Sequence, residues 1–283
     1  LPAPYAETLR YSPFLARLLD SRPWLAEHLA ATLDSPIDRE AMQAFLTDPP
    51  GPLPFDPDER LEASLRRLRA RVLAHVALRD LAGRANLDEV TGTMTTLAEV
   101  ALEAAHDHAF EHLIERHGRP LSSSGWEQEL LVVGMGKLGG RELNVSSDVD
   151  YIFVYPEDGE TAGPDGGGRR IEAFDFFTRL GKRVIAALGE MTADGLVFRV
   201  DMRLRPNGDS GPLVCSLGSL ENYFYTQGRE WERYAWIKAR LMNEGDNLQP
   251  EWAEALHAMA SPFVFRKYLD FGAINAMRDL HAQ

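Results

Sequence analysis

The chain has 283 residues, 45% of them hydrophobic, enough to bury a substantial core in one large domain or two ordinary ones. Its 30 Lys and Arg against 43 Asp and Glu give a formal net charge of -13, which disfavours a nucleic-acid partner because polyanion affinity comes from clustered cations. A single cysteine, Cys215, excludes an internal disulfide and a multi-cysteine metal site and fits a reducing cytoplasm. The opening LPAPYAETLRYSPFLARLL carries proline, glutamate and arginine where a signal peptide needs an unbroken apolar run, and no later run reaches membrane-spanning length, so no membrane partner is expected. A start at Leu1 and a stop at Gln283 inside a helix-like pattern lead us to expect a fragment of a larger parent.

From Ser12 to about Arg119 the periodicity is helical, seen best where Leu61, Leu65, Leu68, Val72 and Val76 recur at helical spacing with arginines between them. Pro49, Pro50, Pro52, Pro54 and Pro57 mark a connection before a long helix that begins near Asp58. Residues 1–124 therefore read as a helical N-terminal subdomain.

The pattern changes after Pro120. LSSSG is a loop, EQELLVVGMG a short buried strand ending in a glycine-rich turn, and GKLGGRELN a short helix-like piece. A second strand, DVDYIFVY, follows, then the glycine-rich loop PEDGETAGPDGGG and a helix from about Arg170 to Gly189. VFRVDMRLRP reads as a third strand ended by its proline. Residues 125–215 are thus an α/β core, and 216–283 return to helix in a C-terminal segment that we expect to be truncated.

The acids carry the chemistry. Asp148 and Asp150 alternate along a predicted strand, so both side chains would leave one face, about 7 Å apart along the backbone. On the third predicted strand Asp201, Arg203 and Arg205 would share one face, while Val200, Met202 and Leu204 share the other. If the two strands are neighbours, Asp201 completes a three-carboxylate cluster suited to Mg²⁺ and to phosphoryl chemistry, with two arginines facing phosphate. The bland alternative makes Asp148 and Asp150 turn or capping residues and pairs Asp201 with Arg203. The upstream glycine turn and the later acid weigh against it, and together they match a nucleotidyltransferase pattern.

GMGKLGGRELNVSSDVDYIFVY at 134–155 and FRVDMRLRPNGDSGPLVCSLGSLENYFYTQGREWERYAWIKARLM at 198–242 closely resemble bacterial glutamine synthetase adenylyltransferase, as do the helical lead-in and the C-terminal PFVFRKYLDFGAINAMRDL. The resemblance implies an α+β fold: a DNA polymerase β-like nucleotidyltransferase mixed-sheet core flanked by helical segments. It also implies two such domains in one long polypeptide, one attaching AMP to a tyrosine of glutamine synthetase and the other removing it with inorganic phosphate to give ADP. GDSGPLV and GREWERYA resemble the N-terminal, adenylyl-removing half, whereas the adenylylating half typically carries a W-x-W-E-H segment.

By the same resemblance Asp148, Asp150 and Asp201 match acids that hold two Mg²⁺ or Mn²⁺ ions, and Gly139 and Gly140 match a turn whose amides approach phosphate. Lys137, Ser147, Arg203 and Arg205 have the right types for oxyanion binding. The implied partners are glutamine synthetase, the PII signalling protein and the second catalytic half of the same parent, in the cytoplasm. A docking module without catalysis is the non-enzyme alternative, and the intact acids argue against it.

Three other motifs carry competing readings. Gly134, Gly136 and Gly139 spell the G-x-G-x-x-G of a dinucleotide-binding dehydrogenase, but the helix before Asp148 is too short for that crossover. His108, Glu111 and His112 spell the H-x-x-E-H of a zinc peptidase, within a stretch that otherwise reads as a solvated helix face. Trp231 and Tyr234 read as packing residues, and Cys215 has no histidine near it in sequence to activate it as a nucleophile.

Overall fold

A computed structural model describes residues 1–164, 169–243 and 249–265 together with Arg278. Part of the glycine-rich 156–168 loop, and residues 244–248, 266–277 and 279–283 of the C-terminal segment expected to be helical, therefore lie outside the described residues. The helices and strands together make an α+β chain with a mixed sheet. It divides into two compact units. The first comprises Leu1–Ala105, Arg141–Asp148 and Ile185–Arg199, and the second comprises His106–Gly140, Val149–Val184 and the chain from Val200 onward.

The first unit opens with four short helices, α1 (Ala3–Thr8), α2 (Pro13–Ser21), α3 (Pro23–Thr32) and α4 (Arg39–Thr47). Prolines at the first turns of α1, α2 and α3 have φ already set for a helix and no N–H to leave unpaired. The proline-rich connection then leads to α5 (Pro57–Leu81), whose cap Asp56 accepts from the N–H groups of Asp58 and Glu59. Tyr5, Leu15, Leu25, Leu29 and Leu33 pack on Ala70, Ala74 and Leu78 of α5. After α5 comes α6 (Leu87–His117).

Arg66 of α5 is 2% exposed, and its guanidinium donates to four carbonyl groups, those of Glu62, Ala187, Glu190 and Gly195. Ala187 and Glu190 lie at the end of a later helix, where carbonyls have no partner within the helix, so the cation satisfies them and complements the helix dipole. Arg66→Met keeps the stem and removes every donor. It is expected to lower unfolding stability by about 3 kcal/mol, read as a fall in the urea midpoint.

The second unit holds the sheet. Its strands are β1 (Pro120–Ser122), β2 (Leu131–Gly134), β3 (Val149–Tyr155) and β4 (Gly159–Thr161), with the one-turn helix α7 (Gly136–Gly139) between β2 and β3. Next come α8 (Ala173–Gly189), β5 (Val200–Asp201), β6 (Val214–Ser216), α9 (Leu217–Thr226), α10 (Glu230–Trp236), β7 (Arg240–Leu241) and α11 (Pro250–Val264). β1 and β4 form a small antiparallel ribbon. The main sheet runs β5-β3-β2-β7, and β6 also pairs with β3 beyond the end of β5.

β3 is central because nearly every residue of VDYIFVY is apolar or aromatic and both faces can be covered. Phe177 of α8 stacks on Tyr155 at 5.4 Å on one face. Leu220 and Phe224 of α9, Trp236 of α10, and Leu256 and Phe263 of α11 share a core with Leu131, Val133, Ile152 and Val154. β2 runs antiparallel to β3, with Gly134 opposite Tyr151. An antiparallel pair cannot be the two parallel strands of a dinucleotide-binding crossover, which removes the physical basis of the G-x-G-x-x-G reading.

Candidate active site

β5 lies parallel to β3 and in register with it, Val149 opposite Val200 and Asp150 opposite Asp201. Neighbouring strands are about 4.8 Å apart, so equivalent positions on a parallel pair bring these two carboxylates close together at one end of the sheet. Gly136 completes the cradle. Its φ of 55° is a left-handed conformation open to glycine, and a Cβ at that position would stand 3.3 Å from Asp150 Oδ2. The glycine turn after β2 therefore leaves open space beside an acid. Gly136 is not part of the acid pattern, and its sequence signals are its place in the glycine-rich turn after a buried strand and in the G-x-G-x-x-G spelling.

The third predicted strand is corrected by the structure. It ends at Asp201, because Asp201 Oδ1 accepts the backbone N–H of Arg203 at 2.8 Å and turns the chain out of extended conformation. Arg203 and Arg205 consequently lie in the turn that follows and do not share a strand face with Asp201. The Arg203 guanidinium folds back, placing Nε 3.0 and 2.8 Å from the two Asp201 oxygens and Nη2 against Oδ2. This fork, with the Arg203 N–H, holds the Asp201 carboxyl below the usual carboxylate range, against the opposing effect of burial. Asp201 in turn, helped by Asp209 and Asp150, holds Arg203 firmly charged. Arg205 braces the turn by donating to Met202 O at 2.7 Å and to Asp209 at 3.4 Å.

Asp148 precedes β3 and belongs to the first unit, so it does not sit on a strand face with Asp150. Its carboxylate pairs with Arg199 Nε, and the same guanidinium donates to Ser146 O at 3.0 Å. Ser147 donates to Asn144 Oδ1 at 2.7 Å. Lys137 is exposed on α7. The amides of Gly139 and Gly140 donate to Met135 O and Gly136 O, both at 3.1 Å, so they are spent inside the turn and are not aimed at an anion. What Gly139 needs is space, since a Cβ there would collide with the Lys238 carbonyl oxygen.

A hard divalent cation fits the donor chemistry of Asp150 and Asp201, two neighbouring carboxylates beside a position that a Cβ would fill. Among the described residues no three His, Cys, Asp or Glu side chains are grouped as a metal-binding set. Asp148 is engaged by Arg199 and Asp201 by Arg203.

Elsewhere, His108 and His112 of α6 are half-buried and Glu111 is exposed. His108→Ala combined with His112→Ala is expected to leave catalytic turnover within a few-fold of wild type. Stoichiometric zinc in the purified protein, lost in the double variant, would contradict this. Trp231 and Tyr234 correct the packing expectation, being 39% and 38% exposed. Trp236 is the buried aromatic of α10, edge-on to Phe224 at 5.1 Å. Burial pushes the Cys215 thiol up to about 12, which removes it as a nucleophile near neutral pH. Among the described residues no helix is long and apolar enough to cross a membrane.

Residues 5–255 match the family model described as glutamate-ammonia ligase adenylyltransferase. Three similar proteins bear the name bifunctional glutamine synthetase adenylyltransferase/adenylyl-removing enzyme. That of Aromatoleum aromaticum is 61% identical over 99% of this chain and 29% of its own length. That of Burkholderia mallei is 56% identical over 98% of this chain and 30% of its own length. That of Nitrosomonas europaea is 50% identical over 98% of this chain and 29% of its own length. The chain thus spans less than a third of the curated relatives it matches. With the family model covering most of its residues and the Asp150–Asp201 pair set within them, the chain belongs to the glutamate-ammonia ligase adenylyltransferase family.

Proposed function

We propose that this chain carries the adenylyl-removing activity of a bifunctional parent, transferring AMP from a tyrosine of glutamine synthetase to inorganic phosphate on a DNA polymerase β-like nucleotidyltransferase core. The observation that carries the reading is the parallel register that sets Asp150 opposite Asp201 beside the open position at Gly136. GDSGPLV and GREWERYA support removal over attachment by their resemblance to the N-terminal half of the family. PII and the second catalytic half are the proposed regulatory partners, in the cytoplasm.

In this reading a phosphate oxygen bonds to the AMP phosphorus as the bond from phosphorus to the tyrosyl oxygen breaks, giving ADP and a tyrosine that takes up a proton. Mg²⁺ or Mn²⁺ held by Asp150 and Asp201 would supply Lewis-acid polarisation and neutralise developing charge. Asp201 orients Arg203 through Nε and Nη2. The opposite edge of the planar guanidinium is then turned toward an incoming anion. Gly136 leaves room for the phosphoryl group beside Asp150.

The test is incubation of the chain with adenylylated glutamine synthetase, Mg²⁺ and phosphate. Appearance of ADP with unmodified glutamine synthetase supports the reading. Attachment of AMP from ATP to the unmodified enzyme, without ADP formation from the adenylylated one, replaces it with the adenylylating half.

A further inference from the structure

The glycine turn is held from behind by a residue outside the acid motif. The backbone of β7 pairs with β2 so that Arg240 is opposite Gly134 and Leu241 opposite Val133. Just beyond β7 the attachment continues: Met242 N–H donates to Val132 O at 2.8 Å, and the Asn243 side chain accepts from Val132 N–H at 3.0 Å while donating to Leu130 O at 2.6 Å. β7 is therefore a fixed rail along the edge of the sheet. From it the Arg240 side chain reaches past Gly134, placing Nε 3.2 Å from Gly139 O and Nη2 3.3 Å from Leu138 O. The Gly139 carbonyl ends α7 without a partner inside the helix, whereas Leu138 O also receives the Gly140 N–H. On the same side the Lys238 carbonyl comes so close to Gly139 that only glycine fits.

The other end of the turn faces the acids. Met135 N–H donates to Asp150 O at 2.9 Å, and Gly136 is the residue whose missing Cβ leaves space beside Asp150 Oδ2. One rigid connection thus runs from β7 through Arg240 to the carbonyls of Leu138 and Gly139, and through the single helical turn to Gly136 and Asp150. A four-residue helix has too few internal hydrogen bonds to keep its own shape, so its orientation depends on what grips its ends.

The geometry points to Arg240 as a positioning residue: it locks the 136–140 turn onto β7 and so sets the space beside Asp150 in which the transferred phosphoryl group is held. It touches neither reactant and acts through the turn. The assignment rests on the function proposed above for Asp150 and Asp201. A misplacement of about 1 Å at a reacting centre costs up to roughly 100-fold in rate, which sets the scale of the effect.

The experiment compares the wild-type chain with Arg240→Ala and Arg240→Lys. Turnover of adenylylated glutamine synthetase with phosphate and Mg²⁺ is measured together with hydrogen exchange of the amides of Gly139 and Gly140. Arg240→Ala is expected to lower kcat roughly 10- to 100-fold with the KM for glutamine synthetase little changed, and to speed exchange at the turn. Lysine, with one charged group and no planar fork, should recover part of the loss, and added guanidinium ion should restore part of it to the alanine variant. Wild-type kcat and wild-type exchange at the turn in Arg240→Ala would overturn the assignment. So would a loss that follows a general fall in thermal stability and disappears when the assay is cooled. If the wild-type chain forms no ADP, the proposed function has failed, and the exchange comparison still decides whether Arg240 holds the turn.

Discussion

Asp150→Asn and Asp201→Asn are each expected to abolish measurable turnover while leaving the fold intact. Both substitutions preserve shape and remove a negative charge, so what they delete is the affinity for a hard cation and the field that holds the phosphoryl group. The fold should survive Asp201→Asn because an asparagine side-chain oxygen can still accept the Arg203 N–H and keep the turn after β5. Asp150 sits on a strand fixed by pairing to β2, β5 and β6, so the loss of one surface charge should leave it in place. A turnover assay with far-UV circular dichroism tests both variants. Near-wild-type activity in either folded protein would remove that acid from the site. Asp148→Asn is expected to follow them, and full activity in that variant would leave Asp148 as the partner of Arg199 alone.

What could be read in the sequence was the part governed by local pattern. VDYIFVY could only be a buried strand, because no helix of ordinary amphipathic kind presents so unbroken an apolar run, and β3 spans those residues. LVVG followed by a glycine turn was legible for the same reason, as were α5 after its prolines and the break in helical character at Pro120. Alternation extends the strand past Asp201, because it cannot register an aspartate that captures the N–H of the residue two places on. That hydrogen bond ended the strand and carried Arg203 and Arg205 off its face. Strand alternation takes in Asp148, but β3 begins one residue later, and the Asp148 partner Arg199 lies 51 positions away, beyond any local signal.

The glycines divide in the same way. Their presence in the turn was legible, but their separate tasks were not. Gly139 is required by the approach of the Lys238 carbonyl and Gly136 by a left-handed φ next to Asp150, and both causes are tertiary. The aromatics of α10 show that helical spacing alone does not say which side of a helix is covered. Trp236 meets Phe224 while Trp231 and Tyr234 face outward.

If inorganic phosphate is the nucleophile, release of AMP from the glutamine synthetase tyrosine should require added phosphate, and isotopically labelled phosphate should appear as the β-phosphoryl group of ADP. Water as nucleophile would give AMP instead, and the two products are separable by chromatography. Arg203 and Arg205 then make distinct predictions, although they lie close together in one turn. The Arg203 side chain is 74% exposed, and Asp201 uses its Nε and Nη2, so Nη1 and the outer side of Nη2 remain to meet a dianion. Arg203→Lys keeps a positive charge but cannot fork toward Asp201 and phosphate together. The apparent KM for phosphate should therefore rise by about tenfold, with a smaller change in the KM for glutamine synthetase. Arg205 is committed to Met202 O and Asp209, so Arg205→Lys should loosen the turn and leave the phosphate KM within a few-fold of wild type. An unchanged phosphate KM in Arg203→Lys would take Arg203 out of the nucleophile site. A rise confined to Arg205→Lys would transfer that role to the residue now read as a brace.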